Sequence, residues 1–295
     1  MSNSDCTTGI SNFNFGFKRD SYSSTNNRAS TASNFSSKKG DRKVVLITGA
    51  TGGIGRATSV AFARTGKYDL ALHYNTATSA TQQKLLHAIN DAVTRVIDVA
   101  LFQADLSSYD EVRRLHNEVS EQFGGVDVLF CNAGATGGQT GVGSLGEVDI
   151  EVFEKVWRLN CGGPILLTQL CLPLMEQQGW GRVVMCSSVA AWTGGFVGPH
   201  YASSKSGLHG FVHWLGKNVA TKGITVNAVA PALIADTAMM APKTGSEEQE
   251  KRAAQNVPVG RLGRPDEVAE TVMWMVNTAY VTRKIIGVDG GYHPC

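Results

Sequence analysis

At 295 residues, 42% hydrophobic and 18% charged, the chain is long enough to enclose one large core. Its formal net charge of +2 provides no broad basic or acidic field, which argues against a nucleic-acid partner or a membrane-surface patch. No apolar run reaches the roughly 18 residues needed to span a bilayer, and the first residues lack the apolar centre of a secretory signal. A soluble, cytoplasmic protein without a membrane partner is the expectation.

Residues 1–42 differ in composition from the rest: they are rich in Ser, Asn and Thr, carry isolated Phe residues and show no periodicity. Such a segment buries too little apolar surface to offset its ordering entropy, so it is expected to be a disordered tail. Lys18, Arg28, Lys38 and Lys39 among the serines leave mitochondrial targeting open, while Asp5, Asp20 and the lack of an amphipathic face weigh against it.

From Lys43 onward short apolar runs alternate with longer helical patterns. The runs predict strands at Val44–Thr48, Leu70–Tyr74, Val96–Gln103, Val128–Asn132, Arg182–Ser187, Thr225–Ala230 and Ile285–Asp289. Helical spacing falls near 54–65, 79–92, 108–123, 150–176, 201–221 and 265–276. Near-continuously apolar strands suit a parallel sheet covered on both faces. The alternation predicts an α/β architecture: a single doubly wound Rossmann domain over 43–295, with a seven-stranded parallel sheet and helices on both faces. Residues of about 232–258 read as a lid-like insertion containing Met239, Met240 and a charged Glu247–Arg252 run.

The first strand runs into Thr48-Gly49-Ala50-Thr51-Gly52-Gly53-Ile54-Gly55, and a helix follows. Glycines allow a turn at positive φ and a close approach of backbone to a pyrophosphate, while the helix start supplies free N–H groups. Gly49, Thr51, Gly53, Ile54 and Gly55 are therefore candidate cofactor-binding residues. A turn that merely joins strand to helix is the alternative, and the strand–turn–helix context weighs against it.

Ser188 follows the fifth strand, Tyr201 lies thirteen residues further on, and Lys205 four beyond that. Spacing of i and i+4 places the phenol and the ammonium on one helix face. Hydride attack on a carbonyl builds negative charge on oxygen, which needs a proton and hydrogen-bond donors. Tyr201 would give or take that proton, Ser188 would hold the oxygen, and Lys205 would lower the tyrosine pKa from its usual value of about 10. Trp192, Phe196 and His200 lie between Ser188 and Tyr201 and are expected to border the substrate. By itself Tyr-x-x-x-Lys is weak, since an exposed helix can carry it by chance.

Taken together, the glycine turn and the Ser188, Tyr201 and Lys205 set resemble the short-chain dehydrogenase/reductase family. The resemblance runs from Lys43 to Tyr292 and also covers Asp105-Leu106, Asn132-Ala133-Gly134, Asn227-Ala228-Val229-Ala230-Pro231, Gly260–Ala269 and Val288-Asp289-Gly290-Gly291. It implies adenine contact at Asp105 and Leu106, cofactor contact at Asn132, Ala133, Gly134, Tyr201, Lys205, Pro231 and Ala232, and a fourth catalytic residue, Asn160, that holds a relay water. Two departures stand out: Ala232 replaces a usual Gly, and Thr282-Arg283 replaces a Thr-Gly pair.

NAD-specific members end strand two with an acid that repels a 2′-phosphate. Tyr74 and Asn75 stand there instead, which favours NADP(H) and leaves NAD(H) open. Overall the pattern is similar to 3-oxoacyl-[acyl-carrier-protein] reductases and neighbouring ketoreductases, which implies a small-molecule carbonyl or alcohol as substrate and a homotetramer. The row Leu208, Phe211, Val212 and Leu215 is either core or interface. Three other readings stay open: an NAD-dependent alcohol dehydrogenase working oxidatively, a non-catalytic NADP-binding regulator, and a family member with isomerase, epimerase or dehydratase chemistry.

Six cysteines are scattered without a Cys-x-x-Cys pair or a His cluster, so no metal site and no disulfide framework is expected. Cys131 and Cys186 lie in apolar runs and read as small core residues.

Overall fold

The strands have room on both faces for apolar side chains, and the computed structural model shows how the chain covers them. It describes residues 42–237, 239 and 247–294. The expected tail, save Arg42, lies outside the described residues, as do Met240 and part of the expected insertion.

Seven parallel strands form one sheet in the order β3-β2-β1-β4-β5-β6-β7. They are β1 (Lys43–Ile47), β2 (Tyr68–Tyr74), β3 (Val99–Gln103), β4 (Val128–Cys131), β5 (Gly181–Cys186), β6 (Ile224–Pro231) and β7 (Ile285–Val288). The helices are α1 (Gly53–Thr65), α2 (Ser79–Asn90), α3 (Tyr109–Phe123), α4 (Ile150–Trp157), α5 (Gly163–Gln177), the single turn α6 (Ala190–Thr193), α7 (Pro199–Val219), α8 (Glu247–Ala254) and α9 (Pro265–Asn277).

Side-chain alternation sorts the strands onto two cores. Leu46 turns to one face with Leu115 of α3, Leu167 of α5 and Leu208 of α7. Val45 and Ile47 turn to the other with Phe62 of α1, Leu85 of α2 and Val272 of α9. Full burial of such a side chain contributes about 1.5–3 kcal/mol. The row on α7 is core at Leu208, Val212 and Leu215, with Phe211 packed against its edge. That removes the row as an assembly surface.

All seven expected strands form, with shifted ends. β3 starts at Val99 rather than Val96, because the Asp98 N–H is taken by the Asp69 carboxylate at 2.9 Å and Val96 is left 87% exposed. Ser187 lies just past β5, although its N–H still donates to the Val229 carbonyl at 2.8 Å. The stretch expected as one helix over 150–176 is α4 and α5 joined by a π-helical turn, Arg158–Gly162. Pro164 is the physical reason: it has no N–H to give to the carbonyl four residues back, that of Asn160, so the α-helical ladder widens there.

Two departures resolve simply. Ala232 has no positive φ, so glycine is not required there. Arg283 does sit at φ 62°, in the left-handed region a glycine would fill, and its N–H donates to Val226 at 2.8 Å.

Candidate active site

The strand order reverses between β1 and β4, which leaves a crevice beyond their carboxyl ends. Register brings the neighbouring strand ends to one level: Ile47 faces Phe130, Cys131 faces Met185, and Cys186 faces Val229. Most candidate residues lie on the loops and helix starts that follow these strand ends, with Tyr74 and Pro231 closing β2 and β6 and Asn160 on the π-helical turn.

On the β1 side, Gly49 adopts φ 64°. A Cβ at Gly55 would run into the Gly49 carbonyl, and one at Gly53 into the Asp236 carbonyl. Gly52 caps α1 without a side chain, and no acid stands in the first turn. By contrast, α3 is capped by Ser108 and begins with Asp110 and Glu111. The head of α1 thus combines close backbone, free N–H groups and a first turn without an acid, which fits a pyrophosphate. Thr51 and Ile54 lie half-buried along it.

Asn132 spans the crevice. Its Nδ2 donates to the carbonyls of Thr48 at 2.9 Å and Gly49 at 3.1 Å, while the N–H groups of Asn132 and Ala133 donate to Thr48 Oγ1 at 2.9 and 3.0 Å. Asn132 therefore supports the glycine turn directly. Gly134 packs beneath the reacting centre: a Cβ there would lie 3.0 Å from Lys205 Nζ and 3.2 Å from Asn160 Oδ1.

The adenine side is more mixed. Asp105 accepts from the Ser107 N–H at 2.9 Å and the Ser107 hydroxyl at 2.8 Å, so one oxygen is spent on its own loop. Leu106 is buried in the core, and its carbonyl lies where a Cβ on Gly163 would run into it. Tyr74 is half-buried, and the exposed Asn75 accepts from Gln103 Nε2 at 3.3 Å. At the far wall, Pro231 offers its carbonyl to the Val189 N–H at 3.1 Å, and the Ala232 N–H donates to Val288 at 3.3 Å.

Ser188, Tyr201 and Lys205 do converge. Ser188 Oγ accepts from the Ala190 N–H at 3.1 Å and reaches the Pro231 carbonyl at 3.5 Å. Tyr201 is only 6% exposed and packs with Ala190 and Val197, with Met239 Sδ at 3.8 Å from its hydroxyl. Lys205 is 3% exposed, donates from Nζ to the Cys186 carbonyl at 2.7 Å, and lies 5.7 Å from the Tyr201 ring. Asn160, on the π-helical turn, is fully buried.

The electrostatics differ from the expectation in one respect. Burial pushes the Tyr201 phenol up, with Cys186 adding to the rise and a hydrogen bond with Ser188 opposing it. No lowering by Lys205 outweighs that burial. Burial instead pulls Lys205 itself down, against a smaller upward effect of the Cys186, Cys161 and Cys131 thiols. A neutral phenol is the state that can donate a proton.

Of the residues between Ser188 and Tyr201, His200 is fully buried and its Nε2 lies 2.9 Å from the Thr136 carbonyl, so it braces the loop after β4. Trp192 stacks on His293 at 5.0 Å, and Phe196 is 58% exposed. Sequence reasoning missed Thr48 as a hydrogen-bond hub, His73 behind the glycine turn, and Ser187, whose Oγ meets His209 Nε2 at 2.8 Å. These partners lie 22 to 85 residues apart and left no local pattern to find. Cys131, Cys161, Cys171 and Cys186 are buried and reduced, burial pushing their thiols up, to about 12 at Cys131 and about 11 at Cys161. Among the described residues no His, Cys, Asp and Glu group is arranged for a metal ion, and no helix is long and apolar enough to cross a membrane.

This geometry has counterparts in known proteins. Residues 49–293 match a family model described as enoyl-(acyl carrier protein) reductase. The chain is 34% identical over 253 residues to the uncharacterized oxidoreductase YmfI of Bacillus subtilis, covering 85% of this chain and 99% of that one. It is also 34% identical over 253 residues to the 3-oxoacyl-[acyl-carrier-protein] reductase FabG of Aquifex aeolicus, covering 84% and 96%. The acetoacetyl-CoA reductase of Allochromatium vinosum is 30% identical over 252 residues, covering 84% and 98%. Among solved structures, that of levodione reductase superposes with a TM-score of 0.76 at 29% identity, covering 86% of this chain and 98% of that chain. The chain is thus an oxidoreductase of the short-chain dehydrogenase/reductase family, similar to its 3-oxoacyl-[acyl-carrier-protein] reductases.

Proposed function

We propose that this chain is an NADP(H)-dependent ketoreductase that converts a ketone to a secondary alcohol. The observation that carries this reading is the burial of Tyr201 and Lys205 beside Ser188 at the end of β5, across the crevice from the glycine cradle.

When bound, the nicotinamide cofactor supplies the hydride. Gly49, Thr51, Gly53, Ile54 and Gly55 would hold its pyrophosphate; Tyr74, Asn75, Asp105 and Leu106 would flank the adenosine; Asn132, Ala133, Gly134, Pro231 and Ala232 would line the nicotinamide half. Ser188 Oγ holds the substrate carbonyl oxygen, and Tyr201 gives it a proton as negative charge builds there. The raised phenol pKa suits this direction, because it keeps the proton on Tyr201 until the oxygen needs it. Lys205 holds the ribose and stabilises the phenolate left behind. Asn160 positions the loop behind Lys205 and holds the relay water.

The absence of an acid at Tyr74 and Asn75 favours the 2′-phosphate of NADP(H) over NAD(H). Tyr201 sits among Ala190, Val197 and Met239, an apolar surround that suits a neutral ketone. Assembly as a homotetramer falls to other residues than the buried α7 row: Ile150, Trp157 and Trp214 are 63%, 39% and 66% exposed on α4 and α7. Among the described residues no helix is long and apolar enough to span a membrane.

The test is NADPH oxidation against β-ketoacyl thioesters, small diketones including levodione, and quinones, with Tyr201→Phe alongside. Turnover that collapses in Tyr201→Phe supports the mechanism, and the best substrate assigns the branch. NADPH binding without turnover of any ketone favours a non-catalytic regulator, and turnover of alcohols with NAD alone favours the oxidative dehydrogenase.

A further inference from the structure

The glycine turn is usually read as a self-contained element, yet here its first N–H is held from behind. His73, the penultimate residue of β2, is 2% exposed. Its Nδ1 lies 3.2 Å from the Gly49 backbone nitrogen, and its Nε2 lies 2.9 Å from the Ala104 carbonyl. The partners fix the tautomer. A carbonyl can only accept, so Nε2 carries the hydrogen; a backbone N–H can only donate, so Nδ1 is the acceptor. Both ring nitrogens are satisfied only in the neutral form. The His73 carbonyl also accepts from Ala50 N–H at 2.9 Å, so one residue binds two successive N–H groups of the turn.

Three strand ends meet at this ring. Gly49 follows β1, His73 belongs to β2, and Ala104 follows β3, where Asp105 begins the adenine-side loop. Burial holds the imidazole at about 4, with the Ala104 bond and the Asp105 charge opposing that fall only in part. The ring is therefore neutral throughout the neutral pH range.

We propose that His73 is a positioning residue for dinucleotide binding, its Nδ1 holding the Gly49 N–H so that the turn is set before the pyrophosphate arrives. The inference rests on the cofactor reading above. Gly49 sits at a positive φ, a conformation with little intrinsic preference in a free glycine; its carbonyl accepts from Asn132 Nδ2 and from the Gly52 N–H, both at 3.1 Å, while its N–H points to His73. A turn ordered in advance spends less of its binding free energy on ordering. Without the bond, the Gly49 N–H is left unpaired in a half-buried place, and the turn gains alternatives that do not fit a phosphate.

The experiment compares His73→Leu and His73→Asn with wild type by NADPH binding, steady-state kinetics and amide hydrogen exchange. Asparagine can place Oδ1 where Nδ1 stands and restore the Gly49 bond; leucine cannot. The expected result for His73→Leu is an NADPH Kd raised by about tenfold, an NADPH KM raised with it, kcat at saturating NADPH near wild type, and faster exchange at Gly49. His73→Asn should recover most of the affinity and the protection. Unchanged NADPH affinity in His73→Leu overturns the inference while leaving the cofactor reading intact. Equal weakening in both variants also overturns it, because ring bulk rather than Nδ1 then matters. Wild-type protein that binds neither NADPH nor NADH overturns the cofactor reading and this inference with it.

Discussion

Asn160 holds both backbone polar groups of Ala135: its Oδ1 accepts from the Ala135 N–H at 2.9 Å, and its Nδ2 donates to the Ala135 carbonyl at 2.9 Å. The same Nδ2 reaches Ser204 Oγ at 3.0 Å, on the helix that carries Tyr201 and Lys205. One side chain on the π-helical turn therefore fastens the loop after β4 to α7. Both Nδ2 hydrogens are spent on protein, so a water at this position would be held by an Asn160 oxygen, either Oδ1 or the backbone carbonyl that Pro164 leaves without its usual donor.

Asn160→Ala should accordingly damage both stability and turnover. It removes three hydrogen bonds and leaves buried groups unpaired, at about 1–3 kcal/mol for each group left unsatisfied. A melting temperature lower by several degrees is expected, since a chain of this size loses roughly 2–4 °C per kcal/mol. The kcat should fall with it, because Lys205 loses the wall that faces it across Gly134. Thermal melts and steady-state kinetics on the same preparation check this; a variant that melts normally and turns over normally rules it out.

A pair of glycine substitutions separates close approach from mere flexibility. At Gly55 an added Cβ meets the Gly49 carbonyl and lies 2.8 Å from Ala50 Cα, both backbone and neither able to move without opening the turn. At Gly210, on the exposed side of α7, an added Cβ meets nothing within 4 Å. Gly55→Ala should cost more than tenfold in cofactor affinity. Gly210→Ala should raise stability by about 0.5–1 kcal/mol, as alanine loses less freedom in a helix. Binding titrations and urea midpoints would show the contrast, and equal behaviour of the two variants would refute it.

Those features that repeat along the chain are legible in the sequence. Apolar runs at Val44–Ile47 and Val183–Cys186 mark strands because both sheet faces are covered, and the spacing of Tyr201 and Lys205 marks a shared helix face. What stayed hidden depends on distant partners. The π-helical turn follows from the missing N–H of Pro164, yet helical periodicity runs through it without a break. The α7 row reads the same for core and interface in sequence, and what decides it is that Leu208, Val212 and Leu215 share one core cluster with Leu167 of α5 and Val226 of β6. The ties from His73 to Gly49 and from His200 to Thr136 join strands and loops with no sequence pattern in common.

Two half-buried or buried histidines make stability depend on pH. His73 and His209 are each lowered from 6.5 to about 4, mainly by burial, with the His213 charge contributing at His209. Between pH 6.5 and about 4 the unfolded chain takes up protons at these rings and the folded chain does not. Stability therefore rises with pH across that window; it is fully present above 6.5 and is lost as pH falls towards 4. His73 alone contributes on the order of 3 kcal/mol to this fall. Urea midpoints measured from pH 7.5 to 4.5 should decline for wild type and decline less for His73→Asn. A midpoint that is flat in wild type would contradict the assignment of a neutral, buried His73.

Arg283 offers a test of stored backbone strain. A non-glycine residue in the left-handed region costs about 1–2 kcal/mol, and Arg283 is held there at φ 62° by its N–H bond to Val226 and by Nε, 3.1 Å from the His213 carbonyl. Its Cγ also fills the space beside Gly216, where an added Cβ would come within 2.6 Å of it. Arg283→Gly relieves the strain but gives up the Nε bond and this packing, so the melting temperature should move by no more than a few degrees. Arg283→Val keeps no bond to His213 and adds a branched Cβ at a positive φ, so it should destabilise by about 2 kcal/mol or more. Because β7 begins two residues later and pairs with β6 from Ala228 onward, the loss should appear first as faster amide exchange along β7. If valine and glycine give the same melting temperature, the positive φ is not what limits this turn.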